Sequence, residues 1–213
     1  MKNKKTLYHF ILDRSGSMCD VREQTVTMFN KQVATVQELD KQYEGQEFHV
    51  GLTIFNETIE HRINFRPSSE LELLRYEQYL PYGMTALFDA IGASVDRIKE
   101  QFSDAINNNE MSVVIVVLTD GHENASTRYD MAHIAGLIKE LENTGKWTFS
   151  ILGADFDITQ FSDRLNFKTS STRQYSKKSF YEIEDDMDAS LKSYASKKSK
   201  GIIDKEFLKF KKR

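Results

Sequence analysis

Residues 7–17 read LYHFILDRSGS, a mostly apolar run that ends in a carboxylate and is followed by two serine hydroxyls. The first six residues predict a buried β-strand, so Asp13, Ser15 and Ser17 fall on the loop that leaves its carboxyl end. Magnesium binds oxygen ligands, keeps several water molecules and needs only one or two protein carboxylates. This loop therefore outlines a cation site.

The chain from residue 6 to residue 155 alternates between strand-like and helix-like periodicity, which is typical of an α/β domain. Residues 111–118 are a β-branched run, the pattern of a central parallel strand that is buried on both faces. Residues 48–65 predict a hairpin with a turn at residues 56–57 and an antiparallel edge strand. We therefore expect a mostly parallel sheet with one antiparallel edge strand and helices on both faces. Further helices are predicted near 26–42, 87–102, 131–141, 158–164 and 180–196, and further strands at 147–152 and near 173–176.

Oxygen-bearing side chains follow two of the predicted parallel strands. Asp13 follows the first strand, and Asp120 follows the strand at 111–118. Ligand sites in open parallel sheets lie at the carboxyl ends of the strands, so the two carboxylates converge if the two strands are neighbours. Thr85, which stands after Gly83 at the start of a predicted helix, is a third source of oxygen. The sequence thus predicts one cation surrounded by three loops.

Each of these loops also has an ordinary structural interpretation. Ser17 and Thr85 could cap the helices that follow them, and Asp120 could begin a simple turn. Their order along the chain and their common edge of the sheet favour a joint metal site over three unrelated turns. His122 and Glu123, beside Asp120, are interpreted as solvated loop residues.

Two classes of enzyme offer alternatives. A phosphatase of the haloacid dehalogenase type also begins with a hydrophobic strand that ends in Asp and also binds Mg²⁺. That class places a second Asp two residues further on, where this chain has Ser15, so the catalytic pair is missing. A nucleotide-binding protein would need a glycine-rich phosphate loop, and neither GxxxxGK[ST] nor GxGxxG follows a predicted strand.

The ordered set of motifs resembles a von Willebrand factor A (vWA) domain with a metal-ion-dependent adhesion site (MIDAS). In that family a D-x-S-x-S loop is followed by a threonine in a glycine-rich loop before a helix, and then by an Asp in a T-D-G-like turn after a hydrophobic strand. The resemblance covers residues 6 to 155 and includes the strand LTIFN at 52–56. One departure is the pair Gly83-Met84, where many relatives have Gly-Gly before the threonine.

The resemblance implies a Rossmann-like vWA fold, a site and a function. Three hydroxyls and two carboxylates would leave a bound Mg²⁺ or Mn²⁺ able to recruit a Glu or Asp carboxylate from a protein partner. It therefore implies a metal-dependent interaction module without catalytic residues. The resemblance is to small intracellular members of bacterial or phage-like type, which often work in multi-protein assemblies. The implied metal ligands are Asp13, Ser15, Ser17, Thr85 and Asp120.

Length and composition predict one globular domain. The chain has 213 residues, of which 39% are hydrophobic and 29% charged, enough for a continuous core. We expect a vWA domain at residues 1–198 and a basic, solvated tail at residues 199–213, with no role in binding nucleic acid or membranes. The single cysteine, Cys19, and the lack of an export signal predict a cytoplasmic location.

Overall fold

The computed structural model describes residues 4–121, 123–154, 158–168, 171–176 and 180–208. Six strands in this part of the chain form one sheet. They are β1 (Lys5–Asp13), β2 (Glu47–Phe55), β3 (Ile59–Pro67), β4 (Met111–Thr119), β5 (Trp147–Ala154) and β6 (Thr172–Tyr175). Their order across the sheet is β3-β2-β1-β4-β5-β6, with β3 antiparallel to β2 and all other pairs parallel. The predicted sheet with one antiparallel edge strand is confirmed.

Helices cover both faces of this sheet. They are α1 (Arg22–Gln42), α2 (Leu87–Asn107), α3 (Met131–Asn143), α4 (Ile158–Arg164) and α5 (Phe180–Ser199). Apolar side chains of α1 and α5 enter the core on one face, and those of α2 and α3 enter the core on the other. Within the described ranges, none of these helices is both long enough and apolar enough to cross a bilayer.

β1 lies inside the sheet and contributes to both cores. Tyr8, Phe10 and Leu12 pack on the side of α1 and α5, whereas Leu7 and Ile11 pack on the side of α2 and α3. Successive side chains of a strand point to opposite faces, and all five are at most 1% exposed. Burial on both faces explains why the strand reads as a nearly continuous apolar run.

β1 and β4 are direct neighbours with parallel register, and Leu12 is paired with Leu118. The next residues, Asp13 and Thr119, therefore leave the sheet side by side. The pairing confirms the condition under which the sequence predicts that Asp13 and Asp120 converge.

At the opposite end of β1, a buried lysine attaches α5 to the sheet. Lys198 is 3% exposed. Its Nζ donates hydrogen bonds to Thr6 Oγ1 and Ser112 Oγ, at 2.6 Å each, and to the carbonyl of Lys5. Burial lowers the pKa of Lys198 from its usual 10.5 to about 7, because the ammonium loses its hydration.

The segment after α5 corrects part of the predicted domain organisation. Phe207 and Leu208 are 0% and 3% exposed and belong to the core on the α1 side of the sheet. The Phe207 ring lies 6.2 Å from that of Tyr8 and 6.1 Å from that of Tyr194, centroid to centroid. The predicted boundary at residue 198 therefore does not separate a packed domain from a solvated tail, since packing continues to residue 208. Residues 209–213 lie outside the described part of the chain.

Replacing Lys198 by methionine should change how stability depends on pH. The pKa of Lys198 is about 7 in the folded protein and 10.5 when unperturbed, so the unfolded chain binds more protons between these values. Lys198 therefore makes the native state more stable as the pH rises above its folded pKa. We therefore compare the unfolding free energies of the wild type and Lys198→Met. The wild-type value should gain about 2 kcal/mol relative to that of the variant between about pH 7 and about pH 9.

Urea denaturation across this pH range measures the effect. Lys192→Met, at an exposed position of the same helix, is the matched control. Its unfolding free energy should differ from that of the wild type by an amount that does not change with pH. The same pH dependence in Lys198→Met and the wild type would contradict the prediction.

Candidate metal centre

Asp13 ends β1 and is fully buried. Its Oδ1 accepts a hydrogen bond from the backbone N–H of Ser15 at 2.7 Å, and its Oδ2 accepts one from the Thr119 hydroxyl at 2.6 Å. The hydroxyl of Tyr79, which is also fully buried, donates to the Asp13 carbonyl. Both the side chain and the main chain of Asp13 are thus held in place by neighbouring segments.

The buried position of Asp13 is electrostatically unfavourable without a cation. Burial raises the pKa of Asp13 from its usual 3.8 to about 6, because the carboxylate loses its hydration. Hydrogen bonds from Thr119 and Ser15 act in the opposite direction, and the nearby charge of Asp120 raises the pKa further. Two neighbouring carboxylates at a buried strand end are arranged to receive positive charge.

Hydrogen bonds connect the two serines of the first loop to Asp120. Ser15 Oγ lies 3.2 Å from Ser17 Oγ, and Ser17 Oγ donates to Asp120 Oδ1 at 2.6 Å. Ser15 is 2% exposed and Asp120 9%. The loop after β1 and the loop after β4 therefore meet through their predicted ligand oxygens.

Gly121 shows that the third loop joins them. A β-carbon at this position would lie 3.1 Å from Thr85 Oγ1, 3.6 Å from Ser17 Oγ and 3.8 Å from Asp13 Oδ2. One point beside the glycine, on the loop after β4, is thus within 4 Å of oxygens from the other two loops. Carboxylate and hydroxyl oxygens around a small space suit a hard dication, so the residues present fit Mg²⁺ or Mn²⁺.

The loop that carries Thr85 is fixed to the loop after β1. Gly83 adopts φ +77°, and its carbonyl accepts a hydrogen bond from the N–H of Gly16 at 3.1 Å. A β-carbon on Gly83 would lie 1.9 Å from the Glu57 carboxylate, which accepts the N–H of Met84 at 2.8 Å. The backbone conformation of Gly83 therefore favours glycine, and a larger residue would also displace the Glu57 carboxylate from this position. Met84, which departs from the family pattern, keeps its backbone hydrogen-bonded there.

The structure does not support the interpretation of the hydroxyls as helix caps. Ser15 stands at the N-cap of a short 3-10 turn, and its side chain makes no capping hydrogen bond. The N-cap of α1 is Val21, and that of α2 is Ala86 rather than Thr85. Neither α1 nor α2 begins with a capping hydroxyl.

Glu123 fulfils the capping role that the sequence analysis missed. Its Oε2 accepts the N–H of Phe88 in the first turn of α2 at 2.9 Å, and its Oε1 accepts the N–H of Ala125 at 2.9 Å and that of Ser126 at 2.7 Å. The prediction of a solvated Glu123 is therefore wrong. His122 lies outside the described residues.

The carboxylate of Asp89, in the first turn of α2, holds the segment that follows Glu123 against this helix. It accepts the backbone N–H groups of Thr127, Arg128 and Tyr129 at 2.8 to 3.0 Å. Asn124 Oδ1 accepts the N–H of Thr85 at 2.8 Å. An acidic residue near the start of a helix was the sequence signal for such a role. Its partner could not be identified from the sequence, because Thr127 lies 38 residues after Asp89.

The described residues gather no alternative set of nitrogen and sulfur ligands elsewhere. Among the described residues, no group of three or more His, Cys, Asp or Glu side chains is placed to hold a metal ion. The arrangement at the ends of β1 and β4 is instead rich in hydroxyls, with two carboxylates.

Solved structures of low sequence identity share this fold. The vWF domain of the type V pili tip protein from Porphyromonas gingivalis has a TM-score of 0.60 and 9% identity, with 95% of this chain and 97% of that one covered. The VWA domain of SpRpn10 has a TM-score of 0.52 and 14% identity, with 80% and 87% covered. Proximal thread matrix protein 1 from the mussel byssus has a TM-score of 0.58 and 13% identity, with 88% and 46% covered.

This chain therefore spans about half the length of the mussel protein. A further structure of that protein has a zinc-occupied MIDAS motif. No curated protein sequence matches the chain closely enough to count as a relative.

A family model for the von Willebrand factor type A domain matches residues 8–123, more than half of the chain. The match begins in β1, ends just after β4 and includes all the predicted metal ligands. On this match, together with the observed sheet order, the chain belongs to the von Willebrand factor type A domain family.

Proposed function

We propose that this protein binds a protein partner through a divalent cation, Mg²⁺ or Mn²⁺, at the carboxyl edge of its sheet. The observation that carries the proposal is the meeting of three loops: Ser17 contacts Asp120 at 2.6 Å, and the point beside Gly121 lies within 4 Å of oxygens of Asp13, Ser17 and Thr85. Members of the vWA family often mediate protein–protein interactions, which supports this class of function. The proposed ligands are Asp13, Ser15, Ser17, Thr85 and Asp120.

The charge of the site explains why a partner would be needed. Asp13 and Asp120 are the only carboxylates in the proposed set, and the three hydroxyls are neutral. When bound, the cation would supply an electrophilic centre that accepts a further anionic oxygen. A Glu or Asp side chain of the partner is the proposed source of that oxygen, and the buried positions of Asp13 and Ser15 keep the protein's own ligands fixed for it.

The donor atoms favour magnesium or manganese over zinc. Zinc in proteins is bound mainly by cysteine sulfur and histidine nitrogen, whereas every proposed donor here is an oxygen. The mussel protein with a zinc-occupied MIDAS motif nevertheless makes zinc a necessary competitor in any titration.

We place the interaction in the cytoplasm, with the partner as a component of a multi-protein assembly. The free thiol of Cys19 is exposed, and an exposed free cysteine suits a reducing compartment. A binding module without an enzymatic role would act by bringing other components together.

Titration with Mg²⁺, Mn²⁺ and Zn²⁺ tests the metal site. We expect one saturable site by calorimetry, with Asp13→Ala/Asp120→Ala weakening the binding of Mg²⁺ by about 100-fold or more, because the remaining donors are neutral. Glu100→Ala/Asp104→Ala removes two exposed carboxylates from α2 and is the matched control. Full affinity in the Asp13/Asp120 variant would refute the site.

Asp13→Asn should stabilise the metal-free protein while removing its response to metal. The amide can still accept the N–H of Ser15, and Thr119 can turn its hydroxyl toward the carbonyl of Gly121, 3.4 Å away. We expect the variant to gain about 1–3 kcal/mol in urea unfolding in EDTA at neutral pH, since a buried charge is removed. Mg²⁺ should stabilise only the wild type.

Asp104→Asn, on the exposed side of α2, is the control for this measurement and should unfold like the wild type. If Asp13→Asn is less stable than the wild type in EDTA, the prediction is wrong. The protein's own hydrogen bonds would then stabilise the charged carboxylate of Asp13 without a cation.

We expect no hydrolysis of phosphoesters. The second carboxylate that a haloacid dehalogenase phosphatase needs is replaced by Ser15, and both oxygens of Asp13 are occupied by hydrogen bonds. An assay with a chromogenic phosphomonoester and Mg²⁺ should give the same rate for the wild type and Asp13→Asn. Turnover that disappears in Asp13→Asn would establish the phosphatase instead.

A further inference from the structure

The surface next to the proposed metal site is apolar. Seven large hydrophobic side chains are exposed in the described part of the chain, and five of them lie between residues 73 and 84. Three of these occupy every second position of the segment that ends at Thr85, and we call this group of three side chains the rim. The rim consists of Leu80, Tyr82 and Met84, whose exposed fractions are 51%, 52% and 55%.

The backbone of the rim is held by hydrogen bonds to the segments that form the site. The N–H of Tyr82 donates to the carbonyl of Arg14 at 2.9 Å, and the side chain of Asn56 donates to the carbonyl of Tyr82 at 3.1 Å. The N–H of Met84 is bound by Glu57. Tyr79, which precedes the rim, is fully buried and contacts Asp13. The exposed side chains are therefore presented on a fixed backbone, which lowers the entropy lost on binding.

A single exposed apolar side chain is ordinary on a protein surface, but a group of three beside a proposed binding site is not. The alternation of the segment turns Tyr79 and Thr85 inward and the three rim side chains outward. Met84 is directly followed by the proposed ligand Thr85. A partner that reaches the cation from the side of Thr85 would therefore bring its neighbouring residues over the rim.

The charges around the rim indicate what those neighbouring residues are. Arg14 lies 5.7 Å from the centre of the Tyr82 ring, but its guanidinium is paired with Glu60 at 3.1 Å. Glu57 adds a carboxylate beside Met84. A second acidic residue next to the metal-binding one would meet the negative charge of Glu57, whereas an apolar side chain would bury rim surface.

We propose that the partner presents an extended segment in which one Glu or Asp is flanked by large aliphatic or aromatic side chains, which pack on Leu80, Tyr82 and Met84. This inference rests on the proposed metal-dependent function and specifies the partner that it takes. The cation binds the carboxylate, and the rim selects the sequence around it.

The test uses two libraries of displayed short peptides with randomised flanks, one with a fixed central glutamate and one with a fixed central glutamine. Both are selected on the full chain in Mg²⁺ and eluted with EDTA. The variant Leu80→Ser/Tyr82→Ser/Met84→Ser changes the rim. The matched control, Leu73→Ser/Tyr181→Ser/Ile202→Ser, removes three apolar side chains elsewhere that are at least as exposed on average, at 54% to 65%. Metal affinity and circular dichroism are measured for each protein.

We expect the glutamate library to be retained and to become enriched in Leu, Ile, Phe, Met, Tyr or Trp beside the glutamate. Individual selected peptides should bind the rim variant about tenfold more weakly and the control with unchanged affinity. Both variants should keep the metal affinity of the wild type, because the rim supplies no proposed ligand.

Other results would overturn the inference. Selected peptides without apolar enrichment, peptides that bind the rim variant as well as the wild type, or retention of neither library would each refute the role of the rim. A dimer in Mg²⁺ that the rim variant abolishes would assign the rim to a second copy of the chain instead. Failure of the proposed function is seen separately, as a lack of metal binding in the titration or as equal retention of the glutamine library.

Discussion

The parallel pairing of β1 with β4 is the constraint on which the rest of the structure depends. It brings Asp13 and Thr119, which are 106 positions apart, into a hydrogen bond of 2.6 Å. The same pairing sets the loop after β4 against the serines of the first loop, through the contact between Ser17 and Asp120. Once these two strand ends are together, only the loop before α2 is needed to complete the site. Its position follows from backbone hydrogen bonds to the loop after β1.

A buried titratable side chain lies at each end of β1, Lys198 of α5 at one end and Asp13 at the other, and their surroundings differ. At the amino end, the ammonium of Lys198 has three oxygen acceptors around it, so α5 is attached to the sheet by a group that prefers to lose its charge. At the carboxyl end, Asp13 is held by donors and lies near a second carboxylate. In the first arrangement, the protein itself supplies hydrogen-bond acceptors for the buried amine. The second brings two carboxylates close together, and in the proposed function a cation compensates their charge.

The elements and their order could be predicted from the sequence because burial on both faces leaves a strong pattern, as in the runs at residues 7–12 and 111–118. The convergence of Asp13 and Asp120 could be predicted because carboxyl ends of neighbouring parallel strands share one edge. The roles of Tyr79 and Glu123 could not. Each acts on a segment far along the chain, so its partner is defined only by the folded backbone. The packing of Phe207 could not be predicted for another reason. The lysines around it give that segment the composition of a solvated chain end, although Phe207 itself is buried.

Gly121 controls the free space at the proposed metal site. Its missing β-carbon leaves open a position that lies 3.1 to 3.8 Å from oxygens of Thr85, Ser17 and Asp13. Alanine there would press most closely on the Thr85 hydroxyl, while the sheet and helices stayed as they are. The replacement of one hydrogen atom by a methyl group would thus narrow the space at the proposed metal site, and the Thr85 hydroxyl would have to shift by a few tenths of an ångström. On the proposed function, this one position would let recognition through the cation be weakened while the apolar side chains at residues 80, 82 and 84 stayed exposed.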